Sequence, residues 1–264
     1  MAAYQILTII QRILSNYNSI YMKIFFQLIL VFIFTASYSN EKADSSKTKL
    51  KAGATISLNS NGISSIPAFT LDKPAIIAAI SLVRNRFSYE PTLGYGFDLR
   101  PWTIDNWLRY KFIDRPHFEF RAGINISAFS SEFKLAEEEE ILQSQRYFTP
   151  EIALIYKVSP GNSLMLNYLN DNGQEKGTID GHFLNLQADR SGMRVGKSAL
   201  LSATLQLFYV DYDGNNDGLY VSPKISSSLR NIPFAIFFQA IQPITSNISP
   251  YPEFKWNLGL SYTL

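Results

Sequence analysis

The sequence has no cysteine, which excludes disulfides, thiolate metal sites, cysteine nucleophiles and a lipid-bearing N-terminal cysteine. Histidine is almost as scarce, with His117 and His182 the only two. They have no metal-ligand spacing to each other, and histidine is the usual base for a serine nucleophile, so most hydrolytic chemistry lacks its parts. Charged residues make up 17% of the chain, below the roughly 25% of ordinary domains. A formal net charge of +2 offers no basic face for a polyanion, so nucleic acid is not expected as a partner. Nor does any apolar run reach the roughly 20 residues that a membrane-crossing helix needs.

The longest apolar stretch runs from Ile24 to Phe34. It follows Met22-Lys23 and precedes the small residues Ala36, Ser37 and Ser39. A basic start, a short greasy segment and a small-residue end make a secretory signal peptide, so residues 22–39 are expected to be cleaved near Ser39. The competing reading is a longer uncleaved anchor. Residues 1–21, with Arg12 as their one charge, read as an upstream extension, and 40–48 as a short polar periplasmic segment.

What the chain has in abundance is aromatic side chains, 14% of the total, with 19 Phe and 15 Tyr, and they alternate with polar ones. From Phe254 to Leu264 the even positions carry Phe, Trp, Leu, Leu, Tyr and Leu, and the odd ones Lys, Asn, Gly, Ser and Thr. Such a strand needs apolar surroundings on one side and polar ones on the other. Either a soluble core or lipid would serve. His117 to Phe129 repeats the pattern, with Phe118, Phe120, Ala122, Ile124, Ile126 and Ala128 on one face. Phe87 to Leu99 does so too, with Pro91 on the apolar face, where a bulge is expected.

Periodicity predicts strands over Leu50 to Leu58, Ala75 to Val83, Phe87 to Leu99, Trp102 to Phe112, His117 to Phe129 and Tyr147 to Val158. Six more follow over Ser163 to Asn170, Thr178 to Asp189, Ala199 to Val210, Leu219 to Leu229, Phe234 to Ile241 and Phe254 to Thr263. Most match the roughly 9–11 residues of a tilted strand crossing a bilayer, against 5–6 in globular proteins. The links alternate as well. Even-to-odd links are short, Ser191 to Ser198 excepted, while odd-to-even links such as Asn59 to Pro74 and Gln242 to Pro252 are long, Arg100-Pro101 excepted. Outer-membrane barrels have short periplasmic turns and long external loops. The expected fold is therefore all-β, a single antiparallel up-and-down transmembrane β-barrel of about twelve strands over 49–264, the last strand closing against the first.

The C-terminal segment resembles the assembly signal of outer-membrane β-barrel proteins, with Asn257, Gly259, Tyr262 and Leu264 matching it, although the usual final residue is aromatic. The resemblance implies outer-membrane lipid and the barrel-assembly machinery as partners. Across 49–264 the chain resembles the outer-membrane barrel proteins common in Bacteroidetes. That likeness implies the outer membrane of a Gram-negative bacterium and a passive, porin-like role for ions or small polar solutes, without cofactor or covalent step. A closed-lumen structural or surface-binding barrel is the second reading. A lipid-modifying enzyme is the third, but the His-x-Ser pair of outer-membrane phospholipases is missing, since Glu119 follows His117 and Leu184 follows His182 at that spacing.

Strand phase assigns Lys51, Arg109, Lys111, Arg121, Lys157, Lys224 and Lys255 to the lumen as cations. Glu90, Asp98, Asp105, Glu119, Glu151 and Asp189 are the anions. Charges beside a low-dielectric wall are expected to pair or to stay wet. Asp213, Asn215 and Asp217 fit the first half of a calcium loop, but its twelfth position is Lys224 instead of a glutamate, so a plain external turn is preferred. Glu137 to Glu140 have helix-compatible composition and are expected to fold over the barrel mouth.

Overall fold

The structure is a computed structural model. It describes residues 49–264 except 65, 67, 68, 137, 138, 179, 213, 215 and 249–252, and excludes the side chains of 133–140. The upstream extension, the signal peptide and the 40–48 segment lie outside the described residues.

Among the described residues twelve strands occur: β1 (Lys51–Asn59), β2 (Ala75–Arg84), β3 (Phe87–Gly96), β4 (Pro101–Asp114), β5 (Phe118–Ala136), β6 (Glu139–Ser159), β7 (Asn162–Gly173), β8 (Gly181–Val195), β9 (Ala199–Tyr212), β10 (Asn216–Leu229), β11 (Phe234–Ser246) and β12 (Lys255–Thr263). Each pairs antiparallel with its chain neighbours, and β12 pairs with β1, closing the barrel. Closure removes the unpaired edges that an open sheet would expose.

The burial pattern inverts that of a water-soluble protein. On β5, Ile126 is 50% exposed while its neighbours Asn125 and Ser127 are each 4% exposed. On β12, Trp256, Leu258 and Leu260 are exposed, and Asn257 and Gly259 are buried. Because side chains alternate across a strand, one apolar set faces outward around the barrel and the polar set converges inside. This outcome selects lipid over a soluble core for the outer face.

Several expectations need correcting. Phe133 to Leu142 does not form a separate cap: β5 and β6 continue as one hairpin, with Glu132 opposite Leu142, Phe133 opposite Ile141 and Lys134 opposite Glu140. Continuing an established ladder satisfies each backbone group directly, which outweighs the weak helix preference of a glutamate run. Glu139 and Glu140 therefore belong to β6, while 137 and 138 lie outside the described residues. Pro91 sits in register opposite Asn106, and the bulge falls instead at Gly94/Tyr95. The Ser191 to Ser198 link shortens, because β8 runs to Val195.

Candidate functional site

The interior is built from the inward phase of the strands, and its charges interlock on the β3 to β6 side. Arg109 on β4 donates from Nε to Glu151 Oε2 on β6 at 2.6 Å, and from Nη1 to Glu90 on β3. Arg121 on β5 stands 3.7 Å from Glu151. β4 and β6 are not adjacent, so the Arg109 to Glu151 bond must cross β5. It does so over Gly123, which is in register with both residues. A Cβ there would stand 2.7 Å from Arg109 Cγ and 2.9 Å from the Leu108 carbonyl oxygen, so only glycine leaves the guanidinium its route. The Arg109 guanidinium also lies 4.0 Å over the Trp107 ring, a cation–π contact. Nearer the short-turn end, Glu119 accepts from Lys111 at 2.8 Å and lies 3.4 Å from Lys157.

The opposite wall is mostly amide and hydroxyl. Asp189 accepts from Gln187 Nε2 at 2.7 Å and from Thr204 Oγ1 at 2.8 Å, and Asn185 donates to Asn167 Oδ1 at 2.9 Å. Lys224 stands 4.5 Å over the Phe237 ring. Asp105, on β4, accepts from Asn125 Nδ2 at 2.7 Å and from Thr103 Oγ1 at 3.0 Å.

The remaining candidates sit at the two rims. Asp98 lies in the link after β3, where Lys73 Nζ reaches it at 2.7 Å and also reaches Glu132 at 2.6 Å. Lys255 donates to both oxygens of Asp72, each at 2.7 Å. Lys51, at the start of β1, is exposed. Hydrogen bonds from Lys73 and from the Arg100 backbone hold the Asp98 carboxyl below the usual carboxylate value, and those to Asp98 and Glu132 raise the Lys73 ammonium.

Asp72 and Lys73 belong to the first loop, L1 (60–74), which enters the mouth. Ile63 and Ile66 pack against a buried inward cluster that includes Phe183, Phe208, Tyr220 and Ile241. Phe69 stacks on Phe129 with centroids 4.0 Å apart and meets the Tyr147 ring edge-on at 5.1 Å. Trp102 Nε1 donates to the Phe69 carbonyl oxygen at 2.8 Å. Two cavities result. A vestibule of about 480 Å³ lies on the loop side and a chamber of about 400 Å³ deeper in the lumen, and Phe69, Trp102 and Phe129 line both. These rings form a partition between them.

Sequence reading missed this loop. Its signal was apolar residues at 63, 66, 69 and 71 in a segment that ordinary external loops fill with polar ones. Asp171 was missed because it lies one residue past the expected end of its strand; in the structure it is buried on β7 and accepts from Thr149 Oγ1 at 2.5 Å.

The residues that match the assembly signal lie on or just after β12, some facing β1 across the closing seam and some packing against β11. Asn257, 2% exposed, donates to Asn59 Oδ1 at 2.9 Å and accepts from the Asn61 backbone at 3.1 Å. Gly259 leaves room for the Phe237 ring, which a Cβ would strike. Tyr262 packs on Phe234 at 4.9 Å, and the exposed Leu264 donates its backbone N–H to Ala54 at 2.8 Å. Of the calcium-loop residues, Asp213 and Asn215 lie outside the described residues, and Asp217, on β10, accepts from Tyr209 at 2.8 Å. His117 is an exposed turn residue, and His182 lies on the outer surface, 2.7 Å from the Tyr168 hydroxyl.

No family model and no curated protein matches this chain. Among solved structures it is similar to the KdgM porin in complex with disordered oligogalacturonate, with a TM-score of 0.51 and 10% identity, covering 80% of this chain and 98% of that one. A second structure of the KdgM porin gives a TM-score of 0.50 at 10% identity, with coverages of 80% and 98%. This likeness is one of fold: a closed barrel of the outer-membrane type.

Proposed function

We propose that the chain is an outer-membrane barrel serving as a passive, porin-like channel for ions or small polar solutes, with L1 setting the bore at its mouth. Its delivery follows from a signal peptide at 22–39, cleaved near Ser39, and its insertion from capture of the β12 edge by the barrel-assembly machinery. The observation that carries the channel reading is the pair of cavities in series inside a polar, charged lumen, divided by Phe69, Trp102 and Phe129. A barrel built only as a scaffold has no need of such a lumen, since small barrels fill theirs with side chains. The thirteen charged candidates divide in this reading between lumen wall and rims, and no covalent step is involved.

A second reading, a closed structural barrel, draws on the same partition, because a ring stack fixed on three sides blocks passage as well as it meters it. The two differ in one measurement, the ionic current through folded protein in a planar bilayer. Discrete conductance steps support the channel, and their absence at every voltage supports the closed barrel. The oligogalacturonate found with KdgM is not carried over to this chain. Its arginines Arg109 and Arg121 both face Glu151, which leaves little free positive charge for a polyanion.

A further inference from the structure

Ion pairs balance the charge of the mouth and of the short-turn end, and on the opposite wall Lys224 and Asp189, neither in an ion pair among the described residues, offset each other in number; the chamber is left uneven. At the mouth Lys73 meets Asp98 and Glu132, Arg100 also meets Glu132, and Lys255 meets Asp72. Toward the short turns Lys111 and Lys157 meet Glu119, and Lys157 also meets Asp114. The chamber is lined by Asp105, Glu151 and Asp171 against Arg109 and Arg121, and Arg109 is shared with a further carboxylate, Glu90. Four carboxylates thus face two guanidinium groups.

Asp105 and Asp171 carry the surplus. Asp105 accepts only from Asn125 and Thr103, and Asp171 only from Thr149, so neither has a cationic partner among the described residues. A second observation points the same way. Asn185, 2% exposed, lines this chamber with its Oδ1 unpartnered, its amide nitrogen being spent on Asn167. An unpaired carboxylate and an unpaired buried acceptor are both costly, and both call for a donor, which a cation carrying N–H groups supplies. Arg121 Nε is the one buried donor without a partner among the described residues of the chamber wall, and it suits a hydroxyl or carboxylate of a solute.

We propose that this chamber selects small ammonium-bearing polar solutes over neutral and anionic ones of the same size. The proposal rests on the channel reading and names its solute class. Three sugars of one ring size that differ in charge, glucosamine, glucose and glucuronate, test it. In vesicles containing the folded full chain, glucosamine should enter several-fold faster than glucose, and glucuronate slowest. Under a KCl gradient the reversal potential should shift toward the potassium value. The double variant Asp105→Asn, Asp171→Asn should lose both preferences while keeping its heat-modifiable gel mobility; if it does not fold, Asp171→Asn alone should weaken them.

Equal uptake of the three sugars, or a chloride preference, overturns the proposal while leaving the channel standing. If no current flows at all, the channel reading falls and binding decides the rest. Calorimetry on folded protein in detergent should then show glucosamine bound more tightly than glucose, with the difference lost in the variant. Equal binding would overturn the proposal.

Discussion

Arg109 and Glu151 stand on strands that do not pair with each other, and the 2.6 Å bond between them passes over Gly123. The bond therefore depends on a residue that contributes no side chain to it. Gly123→Ala should displace the guanidinium and cost about 1.5–3 kcal/mol, the range for a hydrogen bond to a charged group. Glu151→Gln should cost a similar amount, and combining the two should cost less than their sum, because both break one contact. Urea unfolding in lipid vesicles would check this, and strict additivity would mean that the two positions act separately.

Phe69 is the ring of the partition that rides on a loop, while Trp102, Phe129 and Tyr147 ride on strands. Phe69→Ala should raise single-channel conductance and leave thermal stability close to that of the parent, because a half-buried ring contributes only part of the roughly 1.5–3 kcal/mol of a fully buried one. Conductance histograms of the two proteins in the same bilayer would show it.

L1 is tied to the wall by Asp72 to Lys255 and by Lys73 to Asp98 and Glu132. These pairs are partly exposed, so the Asp72 to Lys255 tie is worth no more than about 1 kcal/mol and weakens in salt. Asp72→Asn should make current through the barrel noisier at low ionic strength, and the excess noise should fade at high ionic strength. Current fluctuation spectra would report the change.

Acid should loosen the same loop. The Asp98 carboxyl is lowered mainly by its bond from Lys73, so its contribution is present above the ordinary carboxylate value and is lost as pH falls through the lowered one. The Lys73 ammonium is raised by Asp98 and Glu132, so its contribution holds below the ordinary lysine value and is lost only as pH rises through the raised one. The tie is whole across neutral pH, starts to weaken only below the ordinary carboxylate value of about 4, and is lost as pH falls through the lowered one. Channel noise should rise there, and Asp98→Asn should show the higher noise already at neutral pH.

Strand phase was the most legible property of the sequence. Alternation of large apolar and small polar side chains from Phe254 onward, and again from Phe118, decided which residues face out, and Ile126 and Asn125 follow it. Strand ends were less legible, because ladders such as β5 with β6 continue wherever backbone groups can still pair, whatever the composition. The charge partners were half visible. Phase put Arg109 and Glu151 on one side of the wall, but no sequence spacing reports a contact between strands two apart. L1 went unread because a loop entering a lumen has no period, and only its apolar residues mark it. Asn257 and Gly259 matched an assembly pattern, but what they do on either side of β12, a hydrogen bond to Asn59 on β1 and room for Phe237 on β11, shows only in three dimensions.

The most direct test of the channel is single-channel recording of folded full-length protein and of Phe69→Ala, side by side in planar bilayers. Discrete steps are expected from both, larger in the variant. Silence from both at every voltage, with the barrel shown to be folded by heat-modifiable mobility, would contradict the channel reading.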